Sequence, residues 1–433
     1  MRNLLYLLLT HLALPAVAWI SWRKCLRAQK DNPSLPDCFA EKFGRIHPQK
    51  RHGIVIHAVS LGETRSVLPL ISALQNLHPD LPITLTNGSV RGAKQLAGTL
   101  PEGVEHHFLP LDYPFAVKGF LESLQPKLVV IVETEIWPNL IRACEKQNIP
   151  IVLANARLKT SSMRSYRKFG GAWLQSRLQA FKWIGCQFEA DKQHFIELGV
   201  QADKLRIHGN LKFDLTLDQQ LAHKARAWKQ QFIPTAGERF IWVAASTHKG
   251  EETLMLDAHR TLQAKHPNAL LILVPRQADR FSEVEQLLQQ QQSNYATRSS
   301  RTPIQQQTEV LLADSVGEMM LWFELADVAF VGGSLVPFGG HNILEPAAVG
   351  TPVISGKWHH NLQTLYDAIK QENGVVIVDS AEALAQQLLL FADAPDRRQL
   401  QGQQGYRAFR KHSGALQNLL QDIEPSLKNH NRQ

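Results

Sequence analysis

The sequence predicts an α/β protein built from two doubly wound parallel sheets, and three observations predict it. Short β-branched apolar runs alternate with helical patterns along the chain, as parallel strands require, because each crossover between them is usually a helix. The runs fall into two series parted by a polar stretch. The third observation is length: 433 residues, 44% of them hydrophobic, suffice for roughly two domains with sizeable cores.

Residues 4–22 are almost continuously apolar, interrupted at Thr10, His11 and Ser21, and Arg23, Lys24 and Arg27 follow at once. A run of this length just spans a bilayer. Ala16, Val17 and Ala18 resemble a signal cleavage site, but the apolar run continues through Trp19, Ile20 and Trp22 into the basic cluster. Residues 1–24 are therefore expected to form an uncleaved membrane anchor, leaving the bulk of the chain on the cytoplasmic face. A polar connector, residues 25–50, leads into a first domain over 51–215. Its expected strands are 53–58, 83–86, 128–132 and 151–154. A polar helical stretch ending in Pro234, Thr235, Ala236 and Gly237 makes 216–238 the expected linker. The second domain, 239–433, carries apolar runs at 240–245, 270–274, 310–312, 328–331, 353–355 and 375–378. Ligands bind beyond the carboxyl ends of such strands, so the cleft between the two sheets is the expected site.

A net charge of +8 implies an anionic partner such as nucleic acid, a membrane surface or a phosphorylated substrate. The four cysteines, Cys25, Cys38, Cys144 and Cys186, show no CxxC or finger-like spacing. Neither a zinc site nor a disulfide framework is expected, and a reducing compartment fits.

Between Asp327 and Ser355 a buried strand runs into Gly332, Gly333, Gly339 and Gly340, then a short helix closed by Gly350. Glycines let a backbone turn sharply and approach a ligand, and the helix N-terminus that follows favours an anion. The spacing is not GxGxxG, which disfavours a dinucleotide and leaves a sugar nucleotide. The competing reading makes Asn342 and Glu345 a capping box with no ligand at all.

Glu63 falls at a helix start just past the first strand, where it is either a general base or a first-turn acid complementing the helix dipole. Glu133 and Glu135 follow another strand and suit metal ligation, acid–base work or sugar hydroxyls. No Asp-x-Asp triplet occurs, so a metal clamp is unsupported and a leaving phosphate would rely on cationic side chains and amides. Arg276 ends a strand as a candidate phosphate ligand, and Val316, Gly317 and Glu318 follow the next. From Arg157 to Lys192, basic residues interleave with Tyr166, Phe169, Trp173, Phe181 and Trp183. That mixture suits nucleic acid or anionic lipid, and the apolar N-terminus favours lipid.

Taken together, HAVSLGE (57–63), ETEIWPN (133–139), NARL (155–158), GNLKFD (209–214), ASTHKGEE (245–252), VPR (274–276), VGE (316–318) and GGHNILEPA (339–347) resemble the Kdo transferases, the 3-deoxy-D-manno-oct-2-ulosonic acid transferases of lipopolysaccharide assembly. The resemblance implies a GT-B fold of two Rossmann-like domains facing a cleft, CMP-Kdo as donor, and a lipid A precursor, lipid IVA, as acceptor. It implies neither metal nor cofactor, and no nucleic acid. Carried over by motif, Glu63 is the base that deprotonates the acceptor hydroxyl. Pro275 and Arg276, Val316 to Glu318, and Asn342, Ile343, Leu344 and Glu345 are the CMP-binding segments. Ile343 stands where the family often has Pro. Glu133, Glu135, Asn210, Lys212 and Thr247 are implied as sugar contacts. A sugar-nucleotide epimerase, a transferase with another nucleotide donor or a non-catalytic membrane scaffold could share the fold, but the first two would not predict the apolar N-terminus with these segments and a scaffold would not need Glu63 and Arg276.

Overall fold

The structure, a computed structural model, describes residues 2–31, 37–88, 100–215, 217–233, 239–301 and 303–428. The chain divides into two compact units, residues 1–214 with 413–433, and residues 215–412.

In the first unit β1 (Ile54–His57), β2 (Ile83–Asn87), β3 (Val104–Phe108), β4 (Leu128–Val132), β5 (Ile151–Ala156), β6 (Ile184–Cys186) and β7 (Leu205–Ile207) form one sheet in the order β3-β2-β1-β4-β5-β6-β7. All its pairings are parallel. Every residue of β1 and β4 is buried, because helices cover both faces, and each such Val, Ile or Leu contributes roughly 1.5–3 kcal/mol. The order reverses between β1 and β4, where a crevice opens at the carboxyl edge. The helix Leu61–Leu77 buries Val67, Leu70, Ile71 and Leu74 against this sheet, the i, i+3, i+4, i+7 stripe of an amphipathic helix.

The second unit repeats the plan. β8 (Ile241–Thr247), β9 (Leu270–Pro275), β10 (Tyr295–Thr297), β11 (Val310–Leu312), β12 (Val328–Val331), β13 (Val353–Gly356) and β14 (Val376–Val378) run parallel in the order β10-β11-β9-β8-β12-β13-β14. Here the reversal falls between β8 and β12, whose residues pair directly from Trp242–Val328 to Ala245–Val331.

All the expected strands are present, and several boundaries differ. Residues 216–238 do not form a linker throughout: the helix Leu221–Phe232 buries Ala225 and Trp228 in the second unit's core, with the Trp228 ring edge-on to Trp322 at 5.1 Å. Residues 234–237 lie outside the described residues. The second domain does not run to 433 either. The helix Ala415–Lys428 places Ala415, Leu419, Ile423 and Leu427 in the first unit's core, and Asp422 accepts from His208 at 2.7 Å.

The N-terminus differs most. Residues Arg2–Asp31 form one helix with Pro15 inside it, but among the described residues no helix is long and apolar enough to cross a membrane. Thr10, His11, Pro15 and Ser21 dilute the apolar run, and one face of the helix is committed to protein. Tyr6 donates to Asp112 at 2.8 Å, and the Tyr113 hydroxyl donates to the Thr10 carbonyl at 3.0 Å. Cys25 and Cys38 form a disulfide, contrary to the free thiols expected. The helix end packs its Cys25 against Cys38 and Phe108 in a small apolar cluster, a meeting that spacing alone does not announce. Cys144 and Cys186 are free and buried, and burial pushes both thiols up to about 12.

Candidate active site

Polar residues at the carboxyl edge of the first sheet meet around the β1–β4 crevice. Ser60 caps the helix that follows β1, and Glu63 completes a capping box with it. One Glu63 oxygen accepts from the Val59 N–H at 2.7 Å, and the other accepts from the Ser60 hydroxyl at 2.9 Å. Glu63 is thus the first-turn acid of its helix, and the capping box, which the sequence reading did not foresee here, fixes the carboxylate at the strand end. Past β4, Glu133 sits at φ +60°, a conformation costly for a non-glycine residue and often tolerated at working sites. Lys212 approaches Glu133 at 3.5 Å, while Asn155, also at positive φ, accepts from the Leu211 N–H at 3.1 Å. Asn210 donates to Gln187 at 3.0 Å, so it supports the Lys212 turn rather than pointing free. Asn139 donates its backbone N–H to Asp112 at 2.9 Å and is structural.

Three carboxylates in one place cannot all ionise easily. Burial and the negative charge of Glu133 raise Glu63 above the usual carboxylate range. Burial, then Glu63, then Glu133 push Glu135 up to about 7. Glu135 is pushed up furthest, by burial and by both neighbouring carboxylates, so it is the one that holds its proton longer. The cluster can therefore hold one carboxylate ready to accept a proton beside one that still carries it.

The second unit's glycine-rich turn is built differently from the expectation. Glu251, fully buried at the start of the helix after β8, accepts from the N–H groups of Gly333, Ser334 and Leu335 at 2.6–2.9 Å. It also accepts from the His248 N–H at 3.0 Å. Gly332 donates to Ala245, and Gly339 and Gly340 both donate to the Gly333 carbonyl. These amides are consumed internally and are not available to an anion. The glycines are still required: a Cβ on Gly332 would stand 2.7 Å from the Ser246 carbonyl, and one on Gly333 would stand 3.0 Å from the His341 ring. The helix beyond is only Leu344–Ala348. Asn342 accepts from the Leu344 N–H at 3.1 Å and donates to Glu345 at 3.4 Å, so the two side chains are joined near that helix start. Ile343 and Leu344 are buried.

The other expected nucleotide segments follow β9 and β11, which pair directly. Pro275 ends β9, and Arg276, exposed, has no ion-pair partner among the described residues. Glu318 is held by Arg298 at 2.8 and 3.1 Å and by the Ser315 hydroxyl. Partial burial raises its pKa, but Arg298 and Ser315 outweigh this and hold it low. Val316 is 80% exposed, and Gly317 has positive φ with open space where a Cβ would stand. Thr247 is fully buried, which places it beneath the surface rather than among sugar contacts. Phe181 and Trp183 of the basic-aromatic stretch are core residues. Phe169, 72% exposed, stays on the surface. Sequence reasoning missed Glu251 as the brace of the loop and gave no role to His248 and His341. The available signal was that both histidines follow the strands flanking the second reversal. Among the described residues no group of three or more His, Cys, Asp or Glu is placed to hold a metal.

The chain is 40% identical to the 3-deoxy-D-manno-octulosonic acid transferase of Haemophilus influenzae over 89% of its length and 90% of that protein's. It belongs to the Kdo transferase family. The Bordetella pertussis Kdo transferase is 33% identical over 95% of this chain and 96% of its own. The family described as 3-deoxy-D-manno-octulosonic-acid transferase matches residues 37–215, and that described as glycosyl transferases group 1 matches 225–408. Both sheets of this Kdo transferase also occur in the UDP-GlcNAc 2-epimerase of Neisseria meningitidis, with a TM-score of 0.55 over 86% of this chain and all of that one. Sequence identity there is 14%, so that likeness concerns the two-sheet fold alone.

Proposed function

We propose that this chain transfers Kdo from CMP-Kdo to a hydroxyl of a lipid A precursor at the inner membrane. Glu63 takes the hydroxyl proton as the acceptor oxygen bonds to the anomeric carbon. The bond from that carbon to the phosphate oxygen breaks, and CMP departs with the electron pair. A single displacement inverts the anomeric centre. Arg276, cationic and unpaired at the end of β9, neutralises charge on the departing phosphate. The observation that carries this reading is the Glu63 carboxylate, fixed at the β1–β4 reversal and raised by burial and Glu133, in a chain whose relatives across nearly their full length are Kdo transferases.

The membrane side rests on the first helix. Leu8, Leu12, Trp19, Trp22 and Leu26 are all exposed, and at 100° per residue they fall within about 80° of arc. The docked residues Tyr6, Thr10, Ser21 and Cys25 lie on the other side. An apolar stripe flanked by Arg23, Lys24 and Arg27 suits a helix lying in the headgroup boundary, which keeps a lipid acceptor within reach.

Purified protein with lipid acceptor should release CMP from CMP-Kdo and not from other cytidine sugar nucleotides. Glu63→Gln should lower transfer by roughly two to four orders of magnitude while CMP affinity holds. Near-normal turnover by that variant would remove Glu63 from the mechanism.

A further inference from the structure

His248 follows β8 and His341 lies in the turn after β12, so each stands beside the second unit's strand-order reversal. Their Nε2 atoms are 2.7 Å apart. The ring planes differ by 9° and the centroids are 5.0 Å apart, which is the nitrogen separation plus the two ring radii. The rings therefore meet head to head in one plane, sharing an N–H···N hydrogen bond. Phe338 lies over the His248 face at 3.7 Å, and Gly333 leaves room for the His341 ring.

A neutral pair of this kind has one outer nitrogen carrying hydrogen and one carrying a lone pair. Adding one proton to the lone pair leaves the inner hydrogen bond intact, makes both outer nitrogens donors, and gives the pair a positive charge. Neither Nδ1 has a hydrogen-bond partner among the described residues. The loop's own amides at 332–335, 339 and 340 are consumed by Glu251 and by backbone carbonyls, so an anion arriving here finds side-chain donors instead.

We infer that His248 and His341 act together as a one-proton clamp for the phosphate of CMP: the pair takes up a proton as that dianion binds, or forms when CMP leaves its sugar, and donates an outer N–H to a phosphate oxygen beside Arg276. This rests on the nucleotide-site reading above and names how that site meets the phosphate.

The surrounding charges fit a pair that is neutral before ligand arrives. Burial, then His248, then Arg276 hold His341 down to about 4. His248 lies below its ordinary value through burial first, with Arg280 and Arg276 lowering and Glu251 and Glu252 raising. Glu252 is taken by Arg280 at 2.7 Å, and Glu251 by the loop amides. The Tyr366 hydroxyl reaches only the His341 carbonyl, at 3.2 Å. His359 and His360 border Gly340 and Gly339, and His359 faces the Gly356 carbonyl. No carboxylate is left to charge the pair, so a phosphate dianion must do so.

The test is calorimetric titration of the full chain with CMP at pH 7.5 in buffers of different ionisation enthalpy. Wild type should take up close to one proton per CMP bound, and cytidine should cause no uptake. His341→Gln and His248→Gln should each abolish the uptake and weaken CMP at least about tenfold, leaving cytidine affinity unchanged. CMP binding without proton uptake in wild type overturns the clamp even if neither variant folds. Uptake that persists in a folded variant places the proton on the phosphate or elsewhere and also overturns it. No CMP binding by wild type would instead overturn the nucleotide-site reading on which the clamp rests.

Discussion

Three consecutive backbone N–H groups, those of Gly333, Ser334 and Leu335, converge on Glu251, and the His248 N–H joins them. Removing the carboxylate leaves these donors unpaired, those of Gly333 and Ser334 in buried positions, at roughly 1–3 kcal/mol for each buried one. Glu251→Ala should therefore lower the melting temperature of the protein by roughly 10 °C, and Glu251→Gln by less because one acceptor oxygen remains. A melting temperature within 2 °C of wild type in the alanine variant would show that the loop does not need its brace. In the first unit the charges make a separate expectation. Transfer needs ionised Glu63, so the rate falls as pH drops through its raised pKa. Glu133→Gln removes the charge that, after burial, raises that pKa, so the acid limb of the pH–rate profile should move to lower pH. Glu135→Gln should leave the limb in place, because burial and the two neighbouring carboxylates push Glu135 up to about 7 and so keep it uncharged across the acid limb. A limb that moves in the second variant and not in the first would reverse the assignment. The position of Glu63, in a first helical turn just past a strand, was legible. The brace was not, because Glu251 and its loop partners stand 82 to 84 residues apart and nothing local in the sequence joins them.

Elements were legible where burial wrote an unbroken apolar run. β4, with five fully buried residues in LVVIV, could hardly be read otherwise. The strands that escaped are β3, β6, β7 and β10. β3 reads VEHHF, in which Glu105 and His106 are only half covered at the sheet edge and His107 is a buried polar residue; the others are three residues each, too short to show a period. The N-terminal helix was legible as apolar but not as docked, since its contacts to Asp112 and Tyr113 come from a distant loop. Docking leaves one stripe outward, and that stripe makes a prediction. Leu12→Ser with Trp19→Ser and Trp22→Ser should sharply reduce flotation with anionic liposomes, with most of what remains released by high salt because the flanking Arg and Lys attraction is screened. The melting temperature should hold, since these side chains are exposed. Undiminished flotation would move the membrane contact elsewhere on the chain.

For the whole molecule, the return of the chain to its first unit matters most. The sequence suggests two consecutive domains, because its apolar runs come in two consecutive series. The final helix carries no strand signal that would assign it to either. In the structure it belongs with the first: Leu419, Ile423 and Leu427 join the core cluster that includes Val67, Leu70 and Leu74. Asp214 accepts from the Gly414 and Leu416 N–H groups, and Glu424 meets His78. Three large apolar side chains at roughly 1.5–3 kcal/mol each amount to a sizeable part of a domain's net stability. A fragment of residues 215–412 should therefore fold and melt cooperatively, because every strand and core residue of its sheet lies within it. Residues 1–214 should not fold alone, since the outer face of the helix Leu61–Leu77 would be bare. Joining 413–433 to 1–214 through a flexible linker should restore a cooperative melt. Circular dichroism of the three fragments decides the point: a fragment of 1–214 that melts cooperatively, at the same temperature with or without 413–433, would show that the last helix only decorates the first unit.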